Sequence, residues 1–345
     1  MSFLTIHKNF KLNGVSFVDI DALLFFVKEN NLEIYQFLKD WFSSSEDIFV
    51  ETSGSTGKPK IISLKKEQMI NSALATGSYF GLNENTNALL CLSTSYIAGK
   101  MMLVRALTLG WCLDVVNPES NPLKDVVKSY DFSAMVPLQL ENSINKLNQI
   151  KTLIVGGGVV SNNLQQKIFN SDCNIFATYG MTETITHIAV KKLNNFSTSP
   201  NFYNVLPNVK IFIDKRSCLV ISAPKVSKDL VFTNDVVQLI SDNQFKWLGR
   251  FDNVINSGGI KLQPEKIEEK LSKMIFSRFF VAGISDEKLG EKLILIIEGE
   301  KQNIDLSSCN LSKYEKPKSI YFINKFVETE TKKIQRLKTL DILDL

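Results

Sequence analysis

Short β-rich runs alternate with longer amphipathic stretches between about residues 47 and 180. The strand candidates read DIFVET, ALLCLST, CLDVV, FSAMVP, TLIVGGG and NIFATYG. Helix-like stretches such as KKEQMINSALATGSYFGL and LKDVVKSYD lie between them. This alternation predicts β-α units around a largely parallel sheet, with ligand sites where strands end in Gly, Ser or Thr clusters.

The pattern changes after residue 200. The runs NVKIFIDKRSCLVIS and DVVQLISDNQFKWLGR predict two hairpins, which turn at Asp214–Ser217 and Ser241–Gln244, and a helix follows at about 264–274. A break near Arg250–Asp252 divides the chain into a large N-terminal part and a smaller C-terminal part. We therefore predict an α/β fold with a large N-terminal α/β domain of mixed sheets over residues 1–250 and a small α+β C-terminal domain over residues 251–345.

Composition excludes several partners and compartments. The formal net charge is +4, from 40 Lys and Arg against 36 Asp and Glu, which is too small to indicate nucleic acid. Apolar runs such as LILII are far shorter than the ~20 residues of a membrane span, and the first residues do not resemble a signal peptide. The five cysteines form no CxxC pair, which is typical of a reducing compartment. We expect a cytoplasmic protein with no nucleic-acid or membrane partner.

The segment directly after DIFVE combines glycines, hydroxyls and lysine, as a polyphosphate-binding loop does. Its glycines let the backbone approach an anion, and the lysine adds charge. The Walker A pattern fails, because Thr52 stands at its first glycine and Pro59 at its metal-binding hydroxyl. A flexible surface loop is the alternative. The predicted binding residues are Thr52, Ser53, Gly54, Ser55, Thr56, Gly57 and Lys58.

The string TSGSTGKPK resembles the phosphate loop of the adenylate-forming superfamily, which includes acyl- and aryl-CoA ligases, luciferases and peptide-synthetase adenylation domains. The string TYGMTE at residues 178–183 is similar to the YGxTE motif of that family. The resemblance implies that Tyr179 packs against adenine, Thr182 contacts the α-phosphate and Glu183 holds Mg²⁺. It also places Thr178 and Gly180 beside the nucleotide.

Further motifs follow in the order that the family shows. The triplet at residues 156–158 resembles the glycines beside the nucleotide and acyl pocket, with Gly157 on the nucleotide side and Gly156 on the acyl side. Asp235 matches the aspartate that binds the ribose hydroxyls, and Arg250 matches the arginine that assists it. The fifteen-residue spacing between Asp235 and the arginine of LGRFD supports the match.

The C-terminal part resembles the mobile domain of the family. Asp252 corresponds to the hinge, and Ser257, Gly258 and Gly259 to a loop that closes over the CoA arm. The ending TETKKIQR is similar to T-x-T-G-K-I-x-R, which implies that Lys333 is the catalytic lysine. Lys332 stands where the family has a glycine.

Only 51 residues precede Thr52, and this compact form most resembles the o-succinylbenzoate–CoA ligases of menaquinone biosynthesis, in a shortened bacterial form. The implied reaction uses ATP, Mg²⁺, CoA and an aromatic carboxylic acid. The resemblance leaves a homodimer open. The alternatives are another aryl- or acyl-CoA ligase and a non-catalytic nucleotide-binding protein. o-Succinylbenzoate has two carboxylates, and the one that does not react must be held by a cation or by hydroxyl donors. The acyl-site candidates are Tyr96, Lys100, Arg105, Gly156 and His187.

Overall fold

A computed structural model describes residues 4–30, 32–52, 60–196, 201–329 and 334–343. Strands in the described residues fall into three sheets. Those of residues 1–180 are β1 (Lys11–Leu12), β2 (Val15–Ser16), β3 (Asp47–Thr52), β4 (Lys60–Lys65), β5 (Asn87–Leu90), β6 (Cys112–Val115), β7 (Tyr130–Met135), β8 (Ile150–Val155) and β9 (Asn174–Gly180). The later ones are β10 (His187–Lys192), β11 (Tyr203–Val205), β12 (Lys210–Ile213), β13 (Cys218–Ser222), β14 (Val231–Ser241), β15 (Gln244–Arg250), β16 (Ile255–Ser257), β17 (Ile260–Leu262), β18 (Phe279–Asp286), β19 (Gly290–Glu298) and β20 (Ser319–Ile323).

The helices are concentrated in the first half of the chain. They pack mainly through apolar residues, and α4 buries every residue from Met101 to Leu107. The described helices are α1 (Ile20–Glu29), α2 (Tyr35–Trp41), α3 (Lys66–Phe80), α4 (Ile97–Leu109), α5 (Pro137–Asn142), α6 (Asn162–Ile168), α7 (Pro264–Leu271) and α8 (Arg336–Ile342). None of them, within the described ranges, is long and apolar enough to cross a membrane.

The largest sheet is mixed and orders its strands β12-β13-β14-β15-β11-β10-β9-β8-β7-β5-β6-β1-β2. The pairs from β9 through β8, β7, β5 and β6 to β1 are parallel, which confirms the parallel centre that the alternating pattern predicts. Both predicted hairpins, β12–β13 and β14–β15, are antiparallel and extend this sheet. The fold is therefore α/β with a mixed sheet.

The second sheet contains β16 to β20, with α7 packed against β18. Its core includes Ile267 and Leu271 of α7 together with Leu293 and Leu295 of β19. The first sheet ends at Arg250 and the second begins at Ile255. The domain boundary at residues 250–251 stays a prediction.

Two local predictions are wrong. DIFVET does form a strand, but β3 pairs with β4 in a separate antiparallel hairpin and not in the parallel sheet. The stretch LKDVVKSYD is not a helix, and its last residues begin β7. Its backbone is fixed by distant side chains instead, because the carbonyl of Val126 accepts hydrogen bonds from Lys146 Nζ and Gln149 Nε2.

Candidate active site

The TYGMTE segment begins on β9 and ends in a tight turn at the carboxyl end of that strand. Thr182–Thr184 forms one 3₁₀ turn, and the Thr184 hydroxyl accepts from the Met181 amide and lies within donating distance of the carbonyls of Met181 and Thr186. Ile185 follows at φ +66° and ψ −66°, a strained backbone conformation for a β-branched residue. The turn leaves Glu183 exposed, and no hydrogen bond or ion pair within the described residues engages its carboxylate.

Gly180 is required by the close approach of two strands. A Cβ atom at this position would lie 2.0 Å from the carbonyl oxygen of Thr186 and 2.6 Å from Cα of His187. Such distances are far below van der Waals contact, so any larger residue would separate β9 from β10. The glycine of the motif thus fixes where the residues after it lie.

Asp235 lies on β14 directly opposite Arg250 of β15, as the hairpin register requires. Its side chain is buried and accepts two hydrogen bonds, from Tyr179 Oη at 2.8 Å and from Trp247 Nε1 at 3.0 Å. Arg250 Nη1 lies 3.8 Å from the same carboxylate. Burial first, and Asp235 second, raise the pKa of Tyr179, so its hydroxyl keeps the proton that it donates.

The glycine triplet lies beside the nucleotide motif because β8 and β9 are parallel neighbours. Thr178 Oγ1 donates to the carbonyl of Val155, the last residue of β8, at 3.1 Å. A Cβ atom on Gly156 would lie 2.6 Å from Thr178 Oγ1. Gly157 follows at φ +78°, a conformation that favours glycine. Two predicted site segments therefore meet at one edge of the sheet.

Arg105 is almost completely buried on α4 and contacts hydroxyl groups. Its Nε donates to Thr76 Oγ1, and its Nη2 donates to Thr186 Oγ1, each at 3.3 Å. Within the described residues, no carboxylate lies at ion-pair distance from its guanidinium. Burial lowers the pKa of Arg105 to about 10, so the group still carries its charge at pH 7. The chain thus keeps a buried cation whose charge is not neutralised by these residues.

His187 begins β10, next to Thr186, and is 6% exposed. Burial, and then the charge of Arg105, lower its pKa to about 3, so the imidazole is neutral at pH 7. Its Nε2 has no hydrogen-bond partner within the described residues. His187 lines a cavity of about 200 Å³ together with Ser72 and Ser78 of α3 and Leu206. A neutral histidine cannot serve as the cation for a second carboxylate, but its ring nitrogens can donate a hydrogen bond to a ligand or accept one from it.

The other two acyl-site candidates lie at the start of α4. Tyr96 precedes the helix and is 40% exposed. Lys100 Nζ donates to the carbonyl of Thr94 and lies 5.3 Å from the ring centre of Phe37. Burial lowers the pKa of Lys100. The structure therefore brings Arg105 and His187 together and directs the ammonium of Lys100 toward Thr94 and α2.

The predicted phosphate loop lies between the ends of one hairpin. Thr52 pairs with Lys60, which closes the β3–β4 ladder on either side of it. Ser53, Gly54, Ser55, Thr56, Gly57 and Lys58 lie outside the described residues, as does the side chain of Thr52. Their role in phosphate binding stays a prediction.

The predicted hinge and CoA segments follow β15. Asp252 accepts hydrogen bonds from Arg250 Nη2 and from Asn234 Nδ2, both at 3.1 Å. Gly258 and Gly259, at φ +58° and +79°, form the two-residue turn of the β16–β17 hairpin, and Ser257 is the last residue of β16. Such a turn needs positive φ at both central residues. The predicted loop is thus a tight hairpin turn.

Lys333 lies outside the described residues. The residues before it and after it pair with each other, through an isolated antiparallel bridge between Glu328 and Ile334 and a hydrogen bond from the Gln335 amide to the Val327 carbonyl. The assignment of Lys333 as the catalytic lysine stays a prediction.

Sequence reasoning missed Trp247, Thr76 and Thr186. Trp247 lies on the same face as Asp235 because the β14–β15 ladder shifts register between Val236 and Val237; without that bulge, alternation would turn Trp247 to the other face of the sheet. No local signal marks Thr76 or Thr186, which lie 29 and 81 residues from Arg105 in the sequence.

Comparison with known proteins shows which family and which solved structures this chain resembles. The family model described as "AMP-binding enzyme" matches residues 48–217. A solved acyl-CoA synthetase (AMP-forming)/AMP-acid ligase II-like protein from Dyadobacter fermentans is 37% identical, with a TM-score of 0.61; the match covers 90% of this chain and 93% of that one. The 2-succinylbenzoate–CoA ligase of Lactococcus lactis is 24% identical over 84% of this chain and 69% of its own length. The o-succinylbenzoate CoA synthetase of Bacillus subtilis, solved with ATP and magnesium ion, has the same fold, with a TM-score of 0.73 at 18% identity over 94% of this chain and 82% of that one.

Proposed function

The chain belongs to the AMP-binding enzyme family of AMP-forming acid–CoA ligases, and we propose that its acid substrate is o-succinylbenzoate. In the proposed reaction, ATP activates the acid as an acyl-adenylate with release of pyrophosphate. CoA then displaces AMP to give o-succinylbenzoyl-CoA. The ligases that carry this substrate in their names are among the similar curated proteins, at 22–25% identity.

The observation that carries the substrate assignment is the environment of Arg105. A buried guanidinium that contacts hydroxyls and no described carboxylate is unfavourable unless a ligand supplies the negative charge. Its partner Thr186 lies three residues after Glu183, so the cation is close to the nucleotide motif. An acid with two carboxylates meets both needs, because one group pairs with Arg105 while the other reacts.

The nucleotide would lie along the carboxyl ends of β8 and β9. Tyr179 would pack against adenine, Gly157 would allow close approach, and Asp235 would accept the ribose hydroxyls. Mg²⁺ keeps several waters and needs only one or two carboxylates beside phosphate oxygens, and the exposed Glu183 fits that requirement. The ion would lower the repulsion between the two anions that react.

The chain would assist each step with different residues. In the first step, Lys58 and the loop amides would hold the phosphates, Thr182 would donate to the α-phosphate, and Lys333 would lie between the acid and the nucleotide. Donors of this kind are each worth about 3–4 kcal/mol where charge develops. In the second step, rotation about Asp252 would withdraw Lys333 and bring the Gly258–Gly259 turn to the CoA arm.

The location and assembly of the chain belong to the same proposal. All five cysteines are unpaired, as in a reducing compartment, and we propose the cytoplasm. A homodimer stays a prediction.

A panel of acids tests the proposal. With ATP, Mg²⁺ and CoA, o-succinylbenzoate is expected to exceed benzoate and short fatty acids by roughly 10³-fold in kcat/KM, because a site built for the second carboxylate rejects an acid without it. A preference for a monocarboxylic acid would favour the alternative, a ligase for another acid. No acid-dependent CoA consumption with any of them would contradict the proposal as a whole.

A further inference from the structure

Trp247 is an aromatic residue of β15 that faces the carboxylate of Asp235. It lies opposite Val237 in the hairpin, and its ring is half-buried. The indole Nε1 donates to Oδ1 of Asp235 at 3.0 Å, while Tyr179 Oη donates to Oδ2 at 2.8 Å. Each carboxylate oxygen therefore receives one hydrogen bond from an aromatic side chain.

These two donors define the plane of the Asp235 carboxylate. Asp235 is 7% exposed, and Arg250 Nη1 at 3.8 Å is an ion-pair neighbour that lies beyond hydrogen-bond distance. An ionised carboxylate offers about four acceptor positions on its two oxygens. Tyr179 and Trp247 use one on each oxygen, which leaves each oxygen with a further acceptor position for the two hydroxyls of a vicinal diol.

We propose that Trp247 is a positioning residue that holds Asp235 in the orientation that accepts the 2′- and 3′-hydroxyls of the ribose. This inference rests on the proposed function, since it needs ATP as the substrate. It assigns no catalytic step to Trp247, which acts through Asp235 alone. Losing the hydrogen bond from Trp247 should therefore weaken the preference for ribose over deoxyribose that Asp235 provides.

The Trp247→Phe variant removes the N–H donor and keeps an aromatic ring. We expect KM for ATP to rise about tenfold, as for the loss of one hydrogen bond to a charged group, with kcat within about twofold. The preference for ATP over 2′-deoxy-ATP should fall by a similar factor. Trp247→Tyr, which keeps a ring and a donor, should retain most of the preference.

Trp111→Phe is the matched control. Trp111 is fully buried, and its Nε1 has no partner within the described part of the chain, so the same substitution there removes no hydrogen bond that the structure describes. Its KM for ATP and its preference for the ribose should stay at the wild-type values. A folded Trp247→Phe enzyme with unchanged KM and unchanged preference would overturn the role of Trp247 and leave the proposed function intact.

Tryptophan fluorescence of the unsubstituted protein gives a second readout if Trp247→Phe fails to fold. Trp41 and Trp111 are 2% and 0% exposed, so a nucleotide should change the emission mainly through Trp247. AMP is expected to change it more than 2′,3′-dideoxy-AMP at equal occupancy. Equal changes from the two nucleotides would overturn the inference, whereas a wild-type protein without ATP-dependent activity would overturn the proposed function instead.

Discussion

Replacing Arg105 by Met should make the protein more stable and a poorer enzyme. Met fills similar length on α4 and carries no charge. Burial lowers the pKa of Arg105 from 12.5 to about 10, which corresponds to about 3 kcal/mol of unfavourable desolvation of the charged form. The variant removes that cost, because Met has no charge to bury.

The stabilisation is reduced by the hydrogen bonds that are lost. Arg105 donates to Thr76 and Thr186, and each such bond contributes about 1 kcal/mol. Both hydroxyls keep another partner, since Thr76 donates to the Ser72 carbonyl and Thr186 contacts the Ser72 hydroxyl. The net gain is about 1 kcal/mol, or a rise of roughly 2–4 °C in Tm.

Activity should change in the opposite direction. Losing the partner of a buried carboxylate costs about 2–4 kcal/mol, which lowers kcat/KM for o-succinylbenzoate roughly 30- to 900-fold. Benzoate, which lacks the second carboxylate, should be used about as well as by the wild type. Arg278→Met is the comparison variant, because Arg278 is exposed and its charge is already paired with Glu298 and Glu328, unlike that of Arg105.

Thermal unfolding and acid-dependent pyrophosphate release measure the two effects. A variant that is destabilised by several kcal/mol would show that Arg105 holds the fold together in the absence of substrate. An equal loss of activity with both acids would show that Arg105 does not recognise the second carboxylate. Either result would refute the reasoning.

Three further substitutions test other parts of the site. Because the pKa of His187 falls from 6.5 in the unfolded chain to about 3 in the fold, the free energy of unfolding should decrease as pH falls from 6.5 toward 3. Urea unfolding should show a loss of about 2–3 kcal/mol between pH 6.5 and 4.5 that His187→Asn does not show. The same pH dependence of stability in both proteins would contradict this. Gly180→Ala should destabilise the protein by more than about 3 kcal/mol in the same assay, whereas Gly81→Ala, whose added Cβ meets no atom within 4 Å, should cost only about 1–2 kcal/mol for its positive φ. Lys333→Ala should abolish adenylation and leave thioester formation from supplied acyl-adenylate largely intact, and equal loss of both half-reactions would make the lysine structural.

Contacts that follow from local pattern could be predicted from the sequence. The hairpin from Asp235 to Arg250 is an example, because its short turn at Ser241–Gln244 sets the register in which the two charged groups lie opposite each other, and the two bulges between them cancel. The parallel order of β7, β8 and β9 likewise brings Gly156 to Thr178. Here the motifs and the strand order both predict that the glycine triplet and the TYGMTE segment lie side by side.

Contacts between distant segments could not be predicted in this way. The resemblance marks Arg105 as an acyl-site candidate, but only packing shows that it is buried against Thr76 and Thr186. The helix predicted for LKDVVKSYD is wrong for a related reason. The Val126 carbonyl accepts a hydrogen bond from the side chain of Gln149, and the local pattern contains no information about that distant donor. Local propensity is a weak guide wherever tertiary hydrogen bonds compete with it.

The central claim is that the acid attacks the α-phosphorus of ATP before CoA takes part. Exchange of labelled pyrophosphate into ATP, measured without CoA, tests this step alone. We expect exchange that depends on o-succinylbenzoate and on Mg²⁺. No exchange, or the release of ADP and inorganic phosphate, would contradict the account.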